Sequence, residues 1–239
     1  MELTHKENTL LEMLLKVPPD LGAIRAQLES SRFSSDRIAA VASEFIEICY
    51  WESLDRHCGE PHQTEYYSTA ATVVEGEHST YLLEIVKLLL EYGLDPNAVV
   101  DGTCILEQVR FVENEYIAAD TLALLLEHGG NIHLKADGES VFGEIDFDVI
   151  FDALNQYDRR RYDSLVHCWF VWLGYGAQPE NGTTAVDVYR DFNTGELFDI
   201  SKLKNHRNYT FGLSHVPGRG ESWSLHIFDK ETMWEVARL

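Results

Sequence analysis

The sequence predicts a mainly α fold: an α-solenoid of stacked helical hairpins followed by a small C-terminal antiparallel β meander. Three observations carry this expectation. The segment 86–103, VKLLLEYGLDPNAVVDGT, runs from a leucine-rich helix through Tyr92-Gly93 and an Asp95-Pro96-Asn97 turn to Asp101-Gly102-Thr103, which opens the next element. The pattern returns at 122–140 and at 169–186, with Gly93 and Gly129 36 residues apart (129 − 93) and Gly102 and Gly138 likewise (138 − 102). A fixed period of this size marks units that bury their apolar faces on one another. Beyond Asp191, finally, apolar residues alternate with polar ones between turn sequences, the period of strands.

Taken in order, Asn8 to Lys16 reads as a short helix with Leu10, Leu11, Leu14 and Leu15 at helical spacing. Pro18-Pro19-Asp20 interrupts it, and a second helix is expected over about 19–29, with Asp20 in its first turn where a carboxylate suits the dipole. Ser34-Ser35-Asp36 caps a third helix, roughly 36–53, whose apolar face includes Ile38, Val41, Phe45, Ile48 and Trp51. Residues 55–66 read as a polar loop. Helical hairpins are then expected from about 66–74 with 79–92, 104–113 with 117–128, and 141–155 with 161–174, and a last helix from Thr184 through Tyr189. Strands are expected at about 208–215, 222–228 and 232–238, separated by Pro217-Gly218-Arg219-Gly220 and Asp229-Lys230-Glu231-Thr232. An aromatic-rich meander of this kind closes the open end of an array, because a terminal unit otherwise leaves its apolar face in water. The expected division is an array over 1–191, degenerate over 1–78, and a β cap over 192–239.

Composition narrows the function. The 239 residues hold 19 basic and 40 acidic side chains, a formal net charge of −21. Such a chain repels phosphate, so binding to nucleic acid is not expected; its acidity keeps it solvated or docks a basic partner. Cys49, Cys58, Cys104 and Cys168 have no CxxC spacing and suggest neither a disulfide framework nor a zinc module. The N-terminal MELTHKENTLLEMLLK lacks a leader pattern, and no stretch reaches 18 apolar residues. A cytoplasmic protein without a membrane span is expected.

The repeated residues resemble the ankyrin-repeat family, whose unit opens DGxTPLHxAA, continues GHxEIVxLLLExGADxN and recurs at about 33 residues. Glu84 through Asn97, EIVKLLLEYGLDPN, match the second half closely. Asp101-Gly102, Cys104 and Leu106 match the next opening, as do Asp137-Gly138, Ser140 and Phe142, and then Asn181-Gly182, Thr184 and Val186. TPLH itself is intact nowhere. The resemblance implies a non-enzymatic scaffold that binds another protein through its turn fingers and first-helix face. The finger residues it designates are Asn97, Val99 and Asp101, then His133, Lys135 and Asp137, then Gln178, Glu180 and Asn181.

Candidate chemistry is sparse elsewhere. The acidic insertion 144–152, EIDFDVIFD, offers Glu144, Asp146 and Asp148 either as the solvated side of a helix or as a ridge for a basic partner. It lacks the spacing of a calcium loop. His57, Cys58 and His62 have no fourth ligand in sight, so no metal is expected. His167 lies among aromatic residues and reads as a core histidine. GxSxG, GxxxxGK[ST], HExxH and the dinucleotide fingerprint do not occur, so neither catalysis nor a cofactor is expected. From Ser201 to Gly220 the charge reverses: Lys202, Lys204, Arg207 and Arg219 occur without an Asp or Glu, either balancing acidic neighbours or forming an anion or self-association patch. The leading expectation is a protein–protein interaction scaffold or adaptor. The alternative is an immunity-type inhibitor that occludes a basic toxin or nuclease; an enzyme with its site in the C-terminal meander is a third.

Overall fold

The computed structural model describes residues 2–58, 78–112, 114, 116–136, 139–140, 159–177, 186–191, 193–215 and 223–239. Over these the chain is mainly helical, with three small antiparallel sheets. Helix α1 spans His5–Leu14, earlier than the expected 8–16. Its start is fixed by Thr4, whose N–H donates to the Glu7 carboxylate at 2.6 Å, the return half of a capping box. That buried carboxylate also meets Arg37 Nε at 3.4 Å, tying α1 to the third helix. Helix α2 covers Leu21–Ser31, and Asp20 lies outside it as N-cap, accepting from the Ala23 N–H at 3.0 Å. Helix α3 runs Ser35–Cys58, so the expected loop at 55–66 is helical in its first part. The reason is local: no glycine or proline interrupts the chain until Gly59.

A 3-10 turn at His78–Tyr81 leads into α4, Leu82–Glu91. Strands β1 (Val99–Val100) and β2 (Thr103–Cys104) form a hairpin that runs directly into α5, Ile105–Arg110, and α6, Ile117–Glu127, follows. The hairpin recurs as β3 (Lys135–Ala136) and β4 (Glu139–Ser140). Helix α7, Arg159–Gly174, is the next described helix; the expected helices at 66–74 and 141–155 lie outside the described residues. The helices stack in layers: α3 packs on α4 and α5, α4 and α5 on α6, and α6 on α7. A single apolar core threads them, from Leu10 and Leu14 through Phe45, Leu89, Leu106, Leu122 and Phe170. Between layers, the Gln108 amide donates to the Ser43 hydroxyl at 2.8 Å and the Asn114 amide to the Ser79 hydroxyl at 3.0 Å.

The expected helix at 184–189 is not what forms where the chain is described. Asp187–Val188 is a strand, β5, because it pairs with the last strand of the chain: Asp187 faces Arg238 and Val188 faces Ala237. The expected three-stranded meander is therefore four-stranded, with β6 (Tyr209–His215), β7 (Trp223–Asp229) and β8 (Glu235–Arg238) in the order β5-β8-β7-β6. Two 3-10 turns that the sequence reading left unassigned, Ile200–Lys204 and His206–Asn208, carry the chain across α7 into β6. The approach is close: a Cβ at Gly174 would stand 2.5 Å from the Lys204 backbone nitrogen. Leu225, Ile227 and Ala237 continue the helical core into the sheet.

Leu89 is wholly buried where α4 meets its neighbours. Leu89→Ala is expected to cost about 2–5 kcal/mol, by lost transfer energy plus the cavity left behind; chemical denaturation of both proteins measures it.

Candidate functional site

The protruding hairpins are built by the same backbone devices each time. Helices α4, α6 and α7 end at Gly93, Gly129 and Gly176, at φ of 97°, 95° and 92°, a left-handed conformation that glycine adopts without strain. The following N–H turns back to the last helical turn: Leu94 to the Leu89 carbonyl at 3.0 Å, Gly130 to Leu125 at 3.0 Å, Ala177 to Trp172 at 3.3 Å. Next comes an Asx turn, in which Asp95 Oδ1 accepts from the Asn97 N–H and Asn131 Oδ1 from the His133 N–H, both at 2.9 Å. The hairpins then pair in equivalent registers, Val99 with Cys104 and Lys135 with Ser140. Asp101 and Gly102, at φ of 49° and 88°, form the tip of the first, the two-residue turn whose twist suits a hairpin.

Asn97 links one unit to the next. Its side-chain amide donates to the Gly129 carbonyl at 3.0 Å and its Oδ1 accepts from the Asn131 N–H at 2.7 Å. Of the residues singled out from the sequence, Asn97 is thus committed to holding the two fingers in step. Val99 is half exposed, and Asp101 and His133 are exposed, all on the finger loops. Lys135 has its backbone on β3. Asp137, Glu144, Asp146, Asp148, Gln178, Glu180 and Asn181 lie outside the described residues.

A second cluster was not legible in the sequence. Asp120 on α6 accepts from His206 Nε2 at 2.9 Å and from both Nε and Nη2 of Arg207, whose guanidinium lies over the Tyr116 ring. Behind it the Nδ1 atoms of His206 and His167 are 3.3 Å apart, so one ring donates and the other accepts. Burial pushes the Asp120 carboxyl up, but the hydrogen bonds and charges of His206 and Arg207 outweigh it and hold the pKa at about 2. Burial, reinforced by the charges of His206 and Lys230, lowers His167 to about 3. The basic stretch balances acidic and aromatic neighbours here: Lys202 pairs with Asp191 at 3.2 Å, and Lys204 sits 4.1 Å from the Tyr175 ring centre.

On the outer face of the C-terminal sheet, Ser214 on β6 lies 2.6 Å from His226 Nε2 on β7, and His226 Nδ1 lies 2.7 Å from Glu235 Oε1 on β8. Arg238 grips the same carboxylate with Nε at 2.8 Å and Nη2 at 3.0 Å. Burial raises the Glu235 pKa, but the hydrogen bonds of Arg238 and His226 bring the net shift below the ordinary value. The same unit encloses a cavity of about 210 Å³ lined by residues that include Phe198, Tyr209, Asp229 and Trp234. Among the described residues no three His, Cys, Asp or Glu side chains are grouped to hold a metal, and no helix is long and apolar enough to cross a membrane. No family model, curated protein or solved structure matches the chain.

The buried cluster makes stability depend on pH in a defined direction. The fold keeps His167 neutral far below its ordinary 6.5, so stability is present above that value and is lost as the pH falls from 6.5 towards 3. Asp120 adds a second loss between its ordinary 3.8 and about 2, on the order of 2 kcal/mol. Thermal melts across this range are expected to lose the first limb in His167→Gln and the second in Asp120→Asn.

Proposed function

We propose that this chain is a non-enzymatic protein-binding scaffold, an ankyrin-repeat-like array whose β fingers carry the contact surface and whose C-terminal unit caps the last helices. The observation that carries the reading is the recurrence of the finger: the same glycine stop, Asx turn and hairpin register return 36 residues on (135 − 99). Layered helices beneath hold these loops still, and loops on a rigid scaffold are common sites of recognition. Val99, Asp101 and His133 are the exposed contact candidates, and Lys135, Asp137 and the acidic residues Glu144, Asp146 and Asp148 follow in sequence. The net charge of −21 favours a basic partner and steers its approach. The buried thiols of Cys49, Cys104 and Cys168, none of them in a disulfide, suit a reducing, cytoplasmic setting.

A partner captured from native lysate is expected to associate more slowly as salt rises. Val99→Asp combined with His133→Ala is expected to weaken it at least about tenfold. Unchanged affinity in that variant, measured by surface plasmon resonance, would remove the fingers as the contact. A captured toxin or nuclease silenced by the chain would make the scaffold an inhibitor.

One observation favours a second reading, acyl transfer at the C-terminal sheet: Ser214, His226 and Glu235 stand in the order hydroxyl, imidazole, carboxylate. On that reading His226 Nε2 takes the Ser214 proton as Oγ attacks an acyl carbon and then returns it to the leaving alkoxide. A fluorophosphonate probe would phosphonylate Ser214 with loss of fluoride, and Ser214→Ala would abolish the label. An unlabelled wild-type protein eliminates this second reading.

A further inference from the structure

The cavity of the C-terminal unit shares Glu235 with the outer-face cluster, but the rest of its wall has a chemistry that neither that cluster nor the fingers account for. Tyr209 and Asp229 are direct cross-strand partners on β6 and β7, and both line it. Tyr209 is only 5% exposed, yet its hydroxyl has no hydrogen-bond partner among the described residues. Asp229 Oδ1 is engaged by the Glu231 N–H at 3.0 Å, the Thr232 N–H at 2.8 Å and the Thr232 hydroxyl at 3.0 Å. Its Oδ2 has no such partner among the described residues. A phenol hydroxyl and half a carboxylate, both within reach of solvent, therefore face one cavity with hydrogen-bonding capacity that no described protein group uses.

The surroundings decide the sign of what satisfies them. Burial, with the charges of Asp229, Asp191 and Asp199 added, drives the Tyr209 phenol up to about 12, so the hydroxyl stays neutral in a negative field. Of the two cations in the lining, Lys202 is paired with the Asp191 carboxylate at 3.2 Å, and Arg190 Nη1 donates to the Gly195 carbonyl at 2.8 Å. Lys202 also lies 5.9 Å from the centre of the Phe198 ring, so the wall already accepts an ammonium between a carboxylate and an aromatic face. Trp234, 53% exposed, extends that aromatic surface to the cavity rim. At about 210 Å³ the space is below the roughly 300–1,000 Å³ of a small-molecule pocket, and suits a single side chain.

We infer that this cavity receives one cationic side chain, lysine or arginine, of a basic protein partner, with Asp229 Oδ2 and the Tyr209 hydroxyl accepting its hydrogen bonds and Trp234 covering it. The inference rests on the scaffold reading and adds a second contact point on the C-terminal unit. Charge complementarity argues for this occupant: an acidic protein offers an unspent carboxylate inside an aromatic enclosure.

The test is a titration of the full chain, labelled with 15N, by N-acetyl-arginine amide and N-acetyl-lysine amide, with N-acetyl-norleucine amide as the neutral control. The Trp234 indole N–H cross-peak, assigned with Trp234→Phe, is expected to shift saturably with either cationic amide and not with the neutral one. Asp229→Asn keeps an amide oxygen for the Thr232 turn while removing the charge, and is expected to weaken the response at least about tenfold. Tyr209→Phe, which removes only the hydroxyl, should weaken it too and serves as the second variant if Asp229→Asn disturbs the fold. No saturable shift, an equal shift with the norleucine amide, or unchanged affinity in the folded variants overturns the inference. A positive titration with no partner captured from lysate leaves the cavity standing and sinks the scaffold reading. A captured partner indifferent to Asp229→Asn and Tyr209→Phe does the reverse.

Discussion

The Asp120 carboxylate is the point at which the helical layers and the C-terminal sheet become one object. It stands on α6 and takes hydrogen bonds from His206 and Arg207, which precede β6. The interaction is partly buried, so breaking one side leaves a charge without compensation; this is where buried ion pairs matter most. The paired arrangement also fixes where β6 begins, because His206–Asn208 is the 3-10 turn that hands the chain to the sheet. His167, Tyr116 and Phe211 close around it with edge-on aromatic contacts. Misplacing Asp120 would therefore move the turn, the strand and the cavity behind it together.

Between the helical units the coupling is of another kind. Asn97 makes both of its side-chain hydrogen bonds to backbone groups of the following loop, a donor and an acceptor used at once. Each such bond adds only about 1 kcal/mol net, but it fixes one loop against the next in a way that apolar contacts, being non-directional, do not. The core supplies stability here and the asparagine supplies register. Any partner that reads two fingers together depends on that division of labour.

How much of this was legible in the sequence follows from the range of each interaction. The glycine stops, the Asp95 turn, the Asp101-Gly102 tip and the apolar faces of α4 and α6 are local, and their spacing placed the elements to within a few residues. Thr4 and Glu7 were an equally local signal, a threonine followed three residues later by glutamate, that went unused. Strand β5 was misread because nothing near Asp187 specifies extension; its pairing partner lies at the other end of the chain, at Arg238. The Asp120–His206 contact joins residues 86 apart in the sequence, with no periodicity to announce it. Ser214 and His226 stood on alternate positions of expected strands, but only the strand order reveals that they share a face with Glu235.

Gly174 limits how such a chain can grow in evolution. The backbone at Lys204 lies against the end of α7 so closely that even a methyl group would collide with it. The site where a further hairpin would stack is thus taken, and lengthening the protein by appending a unit after α7 would first require evicting the C-terminal sheet. Duplication inside the stack meets no such barrier, because a copied segment from one left-handed glycine to the next brings its own stop, turn and hairpin and leaves both ends untouched. Length variants among descendants of this chain are accordingly expected to differ by whole units inserted before α7, with the junction at Gly174 inherited intact.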